Sequence, residues 1–161
     1  MDRRTPTKTI DRPLLAQVVQ GMIKFAHQGK QDLEVRQLTT QICAGVEKGD
    51  YASEILAIYN WVFANIRYIR DIHDVEFVQW PIRTIEAGAG DCDDMATLLA
   101  AMLMSVGNRC EFVLVSFDGI YPSHVYAQAV TPKGAVIVDP VASTQTGPML
   151  NNVKKRWVIP V

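Results

Sequence analysis

The chain has 161 residues, 48% of them hydrophobic and 20% charged, with a formal net charge of −1. Those values fit one soluble globular domain and give no reason to expect a polyanion partner. Lys154-Lys155-Arg156 and Arg3-Arg4 are short basic runs that read as solvated tails or edges, not as nucleic-acid contacts. No segment reaches the ~18 apolar residues of a membrane span, and Met1–Asp11 lacks the apolar core of a signal peptide. A cytoplasmic protein with no membrane partner, or one exported by a route other than a cleaved signal, is therefore expected.

The first half reads as helical. Asp11 can cap a helix with Pro13 in its first turn, and Leu14, Leu15, Val18, Met22, Phe25 and Ala26 follow at helical spacing up to Gly29. A second helix is expected from about Asp32, with Val35, Leu38, Ile42 and Val46 as its stripe and Lys48-Gly49 as its stop. A third starts near Asp50 or Ser53, where Ile55, Leu56, Tyr59, Val62, Phe63 and Ile66 form a wide apolar face. Residues 75–80 can be extended, and Pro81 then opens a short helix through Ile85.

Asp91 reads as an N-cap, with Asp94 three positions on completing a capping box, and Leu98, Leu99, Met102, Leu103 and Val106 carry that helix to Gly107-Asn108. The period then changes. Cys110–Phe117, Ser123–Val130 and Ala135–Asp139 are strand-like and joined by short turns, with Arg156–Val161 as a further short strand. Helices followed by a meander indicate an α+β fold: N-terminal helices and a Cys-bearing helix against a C-terminal antiparallel sheet.

Three cysteines, widely spaced and without a Cys-x-x-Cys pair, suggest neither a disulfide framework nor a zinc knuckle. Cys43 and Cys110 read as small buried hydrophobes. Cys92 differs, because it stands at the N-terminus of a helix, where unpaired N–H groups and the macrodipole favour the thiolate. On this reading it reacts with alkylating agents well below pH 8. The flanking Asp91, Asp93 and Asp94 act the other way, since like charge disfavours a thiolate. These consecutive residues do not converge readily on one ion, so no metal and no cofactor are expected.

His124 and Asp139 follow Cys92 in segments that read as strands. Alternation puts His124, Tyr126 and Gln128 on one face and Val125, Ala127 and Ala129 on the other. A tight turn brings the next strand back alongside, so that Asp139, before Pro140, can reach the imidazole. Thiol, imidazole and carboxylate are the attacker, base and orienting group of an activated cysteine nucleophile. Each is a common structural residue alone; their order and context make the combination informative.

Gly90-Asp91-Cys92-Asp93-Asp94 opening an Ala/Leu-rich helix, then Gly107, Ser123-His124-Val125 and Val138-Asp139-Pro140, resembles the transglutaminase-like superfamily of cysteine hydrolases. The helix Ile58-Tyr59-Asn60-Trp61-Val62 followed by Ile66-Arg67-Tyr68 resembles its small bacterial and phage members. The resemblance implies a single domain over 1–161, with 1–49 as a helical extension and 50–141 as a papain-like catalytic core. It implies Cys92 as nucleophile, His124 as base and Asp139 as orienting group, with Gln79 or Trp80 as the second oxyanion donor. Where many relatives have Ala-Trp after the histidine, this chain has Val125-Tyr126. The calcium-binding loops of animal transglutaminases have no counterpart. The implied activity is hydrolysis of an amide, peptide or isopeptide bond in a peptide or protein substrate, rather than cross-linking. The alternative is a catalytically silent structural or assembly protein, of phage type, that retains the fold.

Overall fold

The computed structural model describes residues 12–70, 78–142 and 150–161. Expectations for Asp11 and for residues 75–77 lie outside them. Helix α1 (Arg12–Gln31) hands over to α2 (Leu33–Ile42) through Asp32, whose carboxylate accepts from the N–H groups of Glu34 and Val35. Asp50 caps α3 (Tyr51–Asn65) by accepting from the Ser53 N–H. Strand β1 (Arg67–Tyr68), α4 (Pro81–Ala87) and β2 (Ala89–Gly90) lead into α5 (Cys92–Ser105). The chain then forms β3 (Arg109–Ser116), β4 (His124–Thr131), β5 (Gly134–Val138), a short 3-10 turn (Leu150–Asn152) and β6 (Lys155–Pro160).

Three of these elements depart from the sequence reading. Gly29 does not end α1. It is buried within the helix, where an added Cβ would lie 2.5 Å from Pro81 Cγ and 2.9 Å from Ala101 Cβ, so it is the point of close approach to α4 and α5. Helix α2 stops at Ile42, and Val46 is not part of it. Thr39 and Thr40 turn their hydroxyls back on the carbonyls of Val35 and Arg36, a bonding pattern that weakens a helix end. In α3 the buried stripe is Ile55, Ile58 and Val62; Leu56 and Phe63 are exposed, and Phe63 stacks on Tyr59.

The main sheet has the order β5-β4-β3-β6 and is antiparallel throughout. A fold of helices packed against an antiparallel sheet is thus α+β, as the sequence indicates. Helix α5 is buried along nearly its whole length, flanked by α1 and laid on the sheet. The small side chains Ala127 and Ala129 let it approach β4 closely, while Phe112 and Leu114 of β3 fill the same core. On the opposite sheet face Val113, Val115 and Tyr126 are covered by Leu150 and Val153, on the chain's way from β5 at one edge to β6 at the other.

Candidate active site

The turn before α5 is densely hydrogen-bonded. Asp91 accepts from the Asp94 N–H at 3.0 Å, and Asp94 accepts in return from the Asp91 N–H at 3.1 Å, which is the expected capping box. Asp94 also accepts from the Gln79 N–H at 2.7 Å and from Gln79 Nε2 at 2.9 Å. A Cβ on Gly90 would lie 2.7 Å from Asp94 Cβ, so only glycine lets the carboxylate fold back over this turn. Strand β1 pairs in parallel with β2, with Tyr68 beside Gly90, and fixes the turn from its other side. The result is a rigid platform with Cys92 as the first residue of its helix.

Cys92 is half-buried at the rim of the core. Its thiol hydrogen-bonds Asp93 Oδ1 at 3.7 Å and lies against the Val125 N–H at the start of β4. Burial, followed by the charges of Asp93 and Asp91, pushes the thiol well above its ordinary value, and the Val125 N–H pulls the other way. The expected preference for thiolate is therefore reversed in the resting site: desolvation and the Asp93 carboxylate outweigh the helix terminus. Burial and the neighbouring Asp93 and Asp94 in turn push Asp91 up to about 8. At neutral pH that acid mostly holds a proton, so the flanking charge is smaller than the sequence alone suggests.

His124 and Asp139 meet. Ala127 pairs with Val138, and extending that register by one residue sets Asp139 across from Tyr126 and diagonal to His124 on the same face. His124 Nε2 and Asp139 Oδ2 are 2.7 Å apart, and both residues are buried. The other carboxylate oxygen accepts from the N–H groups of Val141 (3.1 Å) and Ala142 (3.3 Å), so Pro140 ends the ladder and the following turn clamps Asp139. A carboxylate only accepts; Nε2 therefore carries the hydrogen, and Nδ1 is left with its lone pair as the basic nitrogen.

Of the two residues considered for the oxyanion, Gln79 is engaged elsewhere. Gln79 Nε2 donates to Asp94 and, at 3.3 Å, to the Ala89 carbonyl, which uses both amide hydrogens. Gln79 is a strut of the Cys92 platform. Trp80, 51% exposed, precedes α4 and packs its indole on Phe25. Two features escape the sequence reading. The Val125 N–H is a backbone group with no side-chain signal. Tyr68 is half-buried close enough to Cys92 to feel its charge; burial first and the Cys92 charge second push its phenol up to about 12, so it is a permanent neutral donor. Only the parallel β1–β2 pairing, invisible in a two-residue strand, brings it there. Among the described residues no group of acids, histidines and cysteines is arranged to hold a metal ion, and no helix is long and apolar enough to cross a membrane.

Solved structures of similar fold include a candidate cysteine protease from Cytophaga hutchinsonii, with a TM-score of 0.60 and 20% identity, covering 98% of this chain and 48% of that one. A candidate protease from Parabacteroides distasonis has a TM-score of 0.64 at 12% identity, over 99% of this chain and 34% of that one. Legionella pneumophila LapG has a TM-score of 0.53 at 16% identity, over 87% of this chain and 81% of that one. The chain thus spans half or less of the first two structures, and at these identities the likeness is one of fold. No curated protein matches the chain in sequence. The sequence profile of the transglutaminase-like superfamily matches residues 36–140, well over half the chain, and with the fold in agreement the protein belongs to the transglutaminase-like superfamily.

Proposed function

We propose that the protein is a cysteine-dependent hydrolase of amide, peptide or isopeptide bonds, with Cys92 as nucleophile, His124 as general base and Asp139 as its orienting group. The observation that carries this reading is the buried 2.7 Å His124–Asp139 bond at the start of β4, the strand whose Val125 N–H meets the Cys92 thiol. Because the thiol is neutral at rest, proton transfer accompanies attack. His124 Nδ1 takes the Sγ proton as sulfur bonds to the carbonyl carbon and the carbonyl π electrons move onto oxygen. The Cys92 N–H, without an intrahelical partner at the first helical position, donates to that oxyanion. Collapse breaks the C–N bond, the amine leaves with the proton from His124, and water activated by the same imidazole hydrolyses the thioester. Asp139 keeps the Nε2–H tautomer throughout.

A fluorogenic peptide-amide library tests this. Turnover by the wild type that falls at least ~10³-fold in Cys92→Ala and in His124→Ala, and ~10²–10⁴-fold in Asp139→Asn, is the expected result. Activity retained by Cys92→Ala overturns it. The upward-held thiol favours one second reading, a silent member that keeps the fold for assembly. It predicts no turnover together with a Cys92 inert to iodoacetamide even at pH 9.

A further inference from the structure

A groove of about 790 Å³ runs between the first half of α1 and the β3–β6 side of the sheet. Leu15, Val19 and Ile23 form one wall, Leu114 and Trp157 the floor, and the loop at Tyr121 and Pro122 closes the end. This loop is preformed: Asp118 Oδ1 accepts from the Ser116 hydroxyl at 2.7 Å and from the N–H groups of Ile120 (2.7 Å) and Tyr121 (3.0 Å). Lys155 contributes the one charged side chain among the described lining residues, its ammonium 4.7 Å above the Trp157 ring.

Two relations tie the groove to the candidate site. Pro122 is two residues before His124, so the loop that ends the groove also delivers the imidazole. Across the sheet, Val125 pairs with Leu114 and Leu114 with Trp157, so the floor begins beside the residue whose N–H meets the thiol. Two strand spacings separate Val125 from Trp157, about 10 Å. An extended peptide advances about 3.3 Å per residue, so with its scissile carbonyl at Cys92 the side chain two or three residues away reaches the floor.

Building on the hydrolase reading above, we propose that this groove is the specificity site of the enzyme, taking a bulky apolar side chain two or three residues from the scissile carbonyl of the peptide substrate, with a neighbouring acidic side chain paired to Lys155. The walls supply apolar surface and a single cation, and that is the complement of such a segment. Full burial of a leucine- or phenylalanine-sized side chain, compared with alanine, corresponds to a preference of about 10–100-fold.

Fluorogenic peptide amides that vary only at these positions measure the preference as kcat/KM. The wild type should favour Leu or Phe over Ala by at least tenfold, and Asp or Glu over Lys at the adjoining position. Lys155→Glu should invert the charge preference. Equal turnover of the whole series by an active wild type overturns the proposal, as does a wild-type charge preference unmoved in Lys155→Glu. If the wild type turns over none of them, the hydrolase reading fails separately. Fluorescence polarisation then decides the groove, because dye-labelled Leu/Asp peptides should bind Cys92→Ala at least tenfold more tightly than Ala/Lys peptides. Equal binding of the two overturns it. A Lys155→Glu change seen only in sedimentation assigns the face to a second copy of the chain and also overturns it.

Discussion

At Cys92 desolvation and the charges of Asp93 and Asp91 act on one side, and a helix N-terminus with the Val125 N–H acts on the other. Helix-terminus effects at a surface are worth about 0.3–1 kcal/mol, whereas burying an unpaired charge costs several. Desolvation and like charge therefore win, and the thiol keeps its proton; in the proposed mechanism His124 removes it. The rate of iodoacetamide labelling should accordingly rise with an inflection above the free-cysteine value of about 8.5. Asp93→Asn should bring that inflection down, because it removes the neighbouring charge and leaves only a neutral, weaker acceptor for the protonated thiol. A wild-type inflection below pH 7 would instead mean a preformed thiolate–imidazolium pair. The position of Cys92 is legible in the sequence, since Asp91-Cys92-Asp93-Asp94 is a local pattern that writes its own helix cap. Its ionisation is not, because that depends on burial and on a backbone group 33 residues later in the chain.

Among the elements, α1 shows how far local pattern reaches. Its apolar spacing is local and predicts the helix; the role of Gly29 is tertiary, set by Pro81 and Ala101, and reads from the sequence as a stop. The same helix contains Gly21, around which an added Cβ would meet nothing within 4 Å. The two glycines should therefore respond to alanine with opposite signs. Gly21→Ala should stabilise the protein by up to about 1 kcal/mol through helix propensity. Gly29→Ala gains the same propensity but drives a methyl to 2.5 Å from a proline ring, and overpacking of this kind costs about 1–3 kcal/mol. Urea midpoints at constant m-value separate the two, and a stabilised Gly29→Ala would show that the α1–α4–α5 junction is looser than its geometry. The strand boundaries are nearly all legible, because the turns between strands carry Asp118-Gly119 and Lys133-Gly134, with positive φ at both glycines. The antiparallel seat of β6 beside β3 is not, since nothing local says which edge a returning strand will choose.

For the molecule as a whole, the Cys92 platform and global stability are coupled through protons. Asp91, pushed up to about 8 by burial and by Asp93 and Asp94, compares with about 3.9 in an unfolded chain. Between those values the folded protein holds a proton that the unfolded chain has lost. Stability is then greatest below about pH 4 as far as this group is concerned, and falls as pH rises through the window to about 8. Asp118, held down at about 2 by the Ile120 N–H and its other loop donors, and Tyr68, at about 12, titrate outside that window and leave its slope alone. Asp91→Asn keeps an oxygen to cap the Asp94 N–H and removes the titration. Urea midpoints for the wild type should fall between pH 5 and pH 8, and should change less for Asp91→Asn, which becomes the more stable protein at pH 8. Equal slopes in the two proteins would mean that Asp91 ionises normally. In that case the full charge of the acidic turn bears on Cys92 at neutral pH, and His124 has correspondingly more to overcome.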